Sequence, residues 1–211
     1  MSSEYVALSA KRNRGWPWPE ESWGLTPMFG EEGWCHSCGM PQKGQHGSLV
    51  LRRKGLERCA GAWMPYWRYD VICLEWSLAE QVAERFDVEL REVAWHVTPP
   101  GEAWQIVAPT VGHAWFDPHE VRQAAIARHG ETGATCVECG VWRWMPMLFR
   151  SLPPLRIQPS LGHVDVAASP EWFGAGWKAF RQILLRRELA ELIAAASPRD
   201  FKIRTVTFTA D

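Results

Sequence analysis

The residues with the clearest chemical signature are four cysteines in two matching motifs, Cys35-His36-Ser37-Cys38-Gly39 and Cys136-Val137-Glu138-Cys139-Gly140. Two cysteines spaced by two residues and followed by glycine form a knuckle whose turn aims both sulfurs at one point, and two knuckles supply a closed tetrahedral site. The spacing therefore predicts a structural Zn2+ bound by Cys35, Cys38, Cys136 and Cys139. The long interval between the motifs, 97 residues from Cys38 to Cys136, leaves open two separate half-sites. In that case Cys59, His36 or His46 would complete the first and His129 the second. A redox pair would be expected once, at a strand-to-helix junction, and a disulfide framework needs an export signal that MSSEYVALSAKRNRGWPWPE does not show. The regular two-plus-two arrangement with trailing glycines also speaks against an iron-sulfur cluster. Cys59 and Cys73 carry no spacing signal, and Cys73 lies in an apolar run where a thiol acts as a small hydrophobe.

A closed four-sulfur site has no open position and cannot activate water. Other catalytic patterns are weak. His113 and His119 flank Asp117, but their spacing is not that of a zinc-protease helix, and Asp117 is better placed to cap a helix. Nucleophile elbows, phosphate-binding glycine loops and dinucleotide fingerprints are lacking in the sequence, so the reading is of a protein that is not an enzyme. Tryptophan is abundant, 14 residues against 3 tyrosines, and suits interface anchors as well as cores. Two clusters follow the knuckles and supply candidate partner-binding residues: Trp63, Tyr66 and Trp67 in the first, Trp142 and Trp144 in the second.

The elements that must position these residues follow from periodicity. Residues 1–34 are rich in Gly, Pro, Trp and charge and read as an irregular arm. Tyr69–Leu74 is apolar enough for a buried strand, and Leu78, Val82 and Phe86 recur at helical spacing. Glu89–Val97 alternates loosely and reads as a strand ended by Pro99 and Pro100. Asp117 caps a helix that starts with Pro118, buries Val121, Ala124, Ala125 and Ile126, and stops at Gly130. Leu152–Pro159 reads as an extended connector. Val71–Glu84 aligned without gaps on Gln182–Ala195 gives six identities in fourteen positions. An alternating segment follows each copy and a CxxCG motif precedes it. The expected architecture is α+β, with two diverged knuckle-strand-helix-strand repeats at about 35–100 and 131–209 in one zinc-stapled domain, 35–211.

Composition limits the function classes. Across 211 residues, 46% are hydrophobic and 22% charged, as in a folded soluble protein, and 23 basic against 24 acidic residues leave a net charge of -1. No general attraction to nucleic acid or an anionic membrane is built in, and no run of about 18 apolar residues offers a membrane span. A cytoplasmic setting is expected. The doubled motif, its interval and the strand-helix-strand that includes Leu189-Ala190-Glu191-Leu192 resemble the double-CXXCG-motif family of myxobacteria. Some of its members are immunity proteins of swarming-inhibition toxin systems. That resemblance, over residue 30 to the end, implies a protein that binds and neutralises a cognate toxin from sibling cells. The alternative is a zinc-ribbon nucleic-acid adaptor in which Arg52, Arg53 and Lys54, or Arg12 and Arg14, meet phosphates and tryptophans stack on bases.

Overall fold

The computed structural model describes residues 4–97, 101–157, 161–174 and 176–209. The chain opens with β1 (Tyr5–Ala10), β2 (Trp16–Pro17), α1 (Leu25–Phe29), β3 (Val50–Arg52) and β4 (Ala62–Trp63). It continues through β5 (Ile72–Glu75), α2 (Trp76–Arg85), β6 (Glu89–Glu92), β7 (Ala94–Trp95), β8 (Ala103–Val107) and α3 (Pro118–His129). The last elements are β9 (Gly133–Thr135), β10 (Trp142–Trp144), β11 (Val166–Phe173), β12 (Phe180–Arg186), α4 (Arg187–Ala196) and β13 (Phe201–Thr205). The class is α+β, and no helix among the described residues is long and apolar enough to cross a membrane.

Three sheets result: a six-stranded one ordered β13-β1-β12-β11-β10-β9, a four-stranded one ordered β4-β5-β8-β6, and a small one ordered β2-β3-β7. The two strand-helix-strand stretches matched in the sequence have the same hydrogen-bonding scheme. In the first, β8 lies between β5 and β6 and runs antiparallel to both, so that Leu74 faces Trp104 and Trp104 faces Glu92. In the second, β1 lies between β12 and β13, again antiparallel to both, so that Leu185 faces Val6 and Val6 faces Thr205. The inserted strand thus follows its unit in the first half and comes from the start of the chain in the second.

That placement corrects the expected irregular arm over residues 1–34. Tyr5-Val6-Ala7-Leu8 is buried on both faces because β1 is an interior strand. Strand alternation then divides its side chains: Val6 and Leu8 enter one core, Tyr5 and Ala7 the other. The first core also takes Ile72, Leu74, Leu78, Ala79 and Val82 from one unit and Ile183, Leu185, Leu189, Ala190 and Ile193 from the other. The halves therefore share one interior.

Local signals explain the helices. Glu75 accepts hydrogen bonds from the Ser77 N–H and hydroxyl at the start of α2. Asp117 Oδ1 accepts from the His119 and Glu120 N–H groups at 2.8 and 3.1 Å, Pro118 takes the first position of α3, and Gly130 stops it at φ 78°. Val121 and Ala125 are buried, whereas Ile126, expected on the same apolar side, is 50% exposed. Two further expectations need revision. Glu89–Val97 is broken at Val93, whose N–H turns to the Ala103 carbonyl, so β6 and β7 belong to different sheets. Within the supposed connector, Leu155 and Ile157 are core residues. Pro99, Pro100 and Pro159 lie outside the described residues.

Candidate metal centre

Both knuckles fold by the same backbone scheme. The Cys35 N–H donates to the Met40 carbonyl at 2.8 Å and the Gly39 N–H returns to Cys35 at 2.7 Å. The Cys136 N–H donates to Val141 at 3.1 Å and the Gly140 N–H returns to Cys136 at 2.9 Å. Gly39 and Gly140 sit at φ 73° and 71°, a conformation that glycine adopts without a Cβ penalty. Each knuckle is the tip of a small antiparallel pairing, Trp34 with Pro41 in the first and Thr135 with Trp142 in the β9–β10 hairpin. The Trp34 indole N–H donates to Thr26 Oγ1 at 3.2 Å and ties the first knuckle to α1.

The two tips meet. Cys35 Sγ is 3.9 Å from Cys136 Sγ, Cys38 Sγ is 3.5 Å from Cys139 Sγ, and all four sulfurs lie within 4.8 Å of one another. A tetrahedral ion with metal–sulfur bonds of about 2.3 Å requires sulfurs about 3.8 Å apart, and the observed spacings bracket that value. This is one shared tetrad suitable for a metal ion. The half-site alternative is not what the structure holds: none of Cys59, His36, His46 or His129 joins the cluster. His36 instead bonds the Glu31 carbonyl at 2.8 Å and stacks on Trp34.

Met40, Ala179, Val141 and Trp172 pack around the sulfurs. Backbone N–H groups of Cys139 and Glu138 lower the Cys136 thiol pKa to about 6, while burial and neighbouring thiols push Cys38 upward and burial raises Cys139. Four thiols so close cannot all ionise without a cation between them, and a soft divalent ion supplies the missing charge. The residues fit a closed structural centre whose effect is to fasten residues 35–38 to 136–139. The other thiols are placed differently. Cys59 accepts from Arg53 at 3.6 Å and burial raises its pKa to about 11, and burial also pushes up Cys73, packed in β5.

The candidate partner-binding residues separate by exposure. Trp63 is fully buried and Trp144 is a core residue, so neither offers a contact surface. Trp142 is half-buried edge-on to Trp144, and Tyr66 is half-buried against Trp16. Trp67 is 40% exposed and held at φ 63°, with Lys178 Nζ 4.2 Å from its ring centre. It flanks an apolar groove of about 460 Å³ lined by Tyr69, Trp144, Met145, Pro146 and Phe180, with Glu131, Arg143 and Lys178 also in its wall. The sequence reading missed Trp76 and Trp177, which are also exposed, and two arginines of one cleft, the buried Arg68 and the half-buried Arg181. An arginine between aromatic residues looks like surface until tertiary contacts bury it.

Comparison of the chain with known protein families, with curated proteins and with solved structures finds no match.

Proposed function

We propose that this protein is an immunity protein: it binds and neutralises a cognate toxin delivered by sibling cells, in the cytoplasm, on a scaffold fastened by structural zinc. The observation that carries the reading is the apolar groove beside Trp67, adjoining the β9–β10 hairpin whose tip provides Cys136 and Cys139. An exposed aromatic anchor next to a concave apolar wall is the usual form of a protein-binding hot spot. A rigid complementary surface suffices for neutralisation and needs no catalytic group. The common strand order and antiparallel pairing of the two strand-helix-strand units support descent from a duplicated unit.

The nucleic-acid adaptor is the weaker reading because its cations are already engaged. Arg52 lies 3.7 Å above the Trp18 ring and binds Glu20, and Lys54 lies 4.1 Å above Trp16. Arg53 stacks on Trp95 and pairs with Glu102, while Arg12 and Arg14 both pair with Asp200. Charges compensated in this way contribute little to phosphate binding. The test is co-expression with toxin genes adjacent to this one. The intact protein restores growth and co-purifies with one toxin, and Trp67→Ala loses both while keeping its melting temperature. Failure to rescue from any linked toxin, or full rescue by Trp67→Ala, refutes the proposal.

A further inference from the structure

A second cleft, of about 520 Å³, lies where β8 of the four-stranded sheet and the turn leading into β5 approach β11 and β12 of the six-stranded sheet. Its wall carries two guanidinium groups from distant parts of the chain, Arg68 in the turn after β4 and Arg181 on β12. Arg68 is only 4% exposed, and its contacts are poor: the Trp177 carbonyl at 3.5 Å and the Met28 sulfur at 3.7 Å. Arg181 donates one good hydrogen bond, to Thr110 Oγ1 at 2.6 Å, and lies over the Trp172 ring. The Nε atoms of both are buried with no hydrogen-bond partner, and neither arginine forms an ion pair among the described residues.

Guanidinium stays charged in proteins even where burial pushes its pKa down, as it does for both residues. Asp70 is the carboxylate that acts on both, too far for an ion pair, and Glu89 is committed to Arg91. Lys43 adds a further positive charge to the wall. The buried Arg68 and the half-buried Arg181, whose Nε is enclosed, face one carboxylate and leave positive charge uncompensated in the cleft, a costly arrangement that an anion relieves. Each planar fork offers parallel N–H donors that match the oxygen spacing of a carboxylate or phosphate.

We propose that this cleft binds a small oxyanion, a carboxylate or phosphate, held by Arg68 and Arg181. The site is separate from the Trp67 groove and from the cysteine tetrad, and it does not rest on the toxin-binding reading. The probes are inorganic phosphate and succinate, titrated into the full-length metal-loaded protein at constant ionic strength set with sodium chloride. Binding is followed by calorimetry and by melting temperature. At least one probe binds saturably and raises the melting temperature above that in chloride, and the one that binds assigns the natural ligand to phosphates or to carboxylates. Arg181→Gln weakens that binding roughly tenfold or more, the loss expected for a charged hydrogen-bonding partner. In anion-free buffer the same variant melts no lower than the wild type, since it removes an uncompensated charge. Arg68→Lys, which keeps the charge and loses the fork, also weakens binding, whereas Arg52→Gln leaves it unchanged. Absence of saturable binding of either probe, or equal binding by Arg181→Gln, overturns the proposal.

Discussion

Replacing Cys35 by serine removes one of four sulfurs from a tetrad that closes a long loop, and with a metal bound there the cost follows from that loop. Zinc binding contributes about 10–16 kcal/mol to the folding of small finger peptides. That figure is an upper limit here, because each CxxC pair also holds metal weakly in the unfolded chain and only the difference stabilises the fold. The lower limit is the chain entropy of the closure. A cross-link spanning about 100 residues is worth about 4.7 kcal/mol, a large part of the roughly 5–15 kcal/mol that stabilises a typical domain. For a chain of this size, each kcal/mol moves the melting temperature by about 2–4 °C. Cys35→Ser is therefore expected to melt about 10 to 20 °C below the wild type. Thermal melts by circular dichroism, paired with metal analysis by atomic emission, should show one zinc per wild-type chain and little in the variant. Cys59→Ser, outside the cluster, should keep its zinc. Full zinc content with an unchanged melting temperature in Cys35→Ser refutes the argument, and so does finding two zinc ions per wild-type chain.

Three further outcomes test other parts of the structure. Trp63→Ala empties a fully buried site and should cost about 3–5 kcal/mol in denaturant unfolding, whereas the exposed Trp67→Ala should cost under about 0.5 kcal/mol. Gly140→Ala meets no atom within 4 Å and carries only the left-handed backbone cost of about 1–2 kcal/mol, but a Cβ on Gly39 falls 2.8 Å from the backbone of Gly176 and Trp177. Melting temperatures should thus fall further for Gly39→Ala. Glu171 accepts from the Trp115 and Phe116 N–H groups, while its second oxygen is buried without a partner, and burial raises its pKa above the ordinary 4.5. Because the folded state favours the protonated form, its stabilising effect is complete below pH 4.5 and is lost as pH rises through the raised value. Glu171→Gln should flatten that decline and unfold at higher denaturant than the wild type at pH 7, with the two converging below pH 4.5.

Motifs written in adjacent residues were legible in the sequence. The knuckles at Cys35 and Cys136, the Asp117–Pro118 start and Gly130 stop of α3, and the helices centred on Leu78 and Leu189 all depend on neighbours a few positions away. Matching the two CxxCG motifs singled out the four cysteines that the fold brings into one tetrad, since a closed sulfur site requires two pairs. What the residues did not disclose depends on distant pairing. β8 and β1 each insert between two strands joined by a helix, and nothing local in YVALSA marks it as an interior strand. Its apolar run was obscured by the Gly, Pro and Trp that follow it. Tryptophan identity likewise says nothing about side: Trp63 and Trp67 stand four residues apart in one segment, yet one is core and the other surface.

The position of β1 also dictates an order of events as the chain is made. Tyr5–Ala10 leaves the ribosome ahead of β2 to β11, but its partners β12 and β13 follow all of them. The four-stranded sheet has its last strand at Val107, long before β12 and β13 are made. Through most of translation, therefore, the six-stranded sheet lacks its interior, and Val6 and Leu8 have no second unit to cover them. Such non-local closure is slow. Of the thirteen described strands, β1 is thus the one that waits longest for shelter.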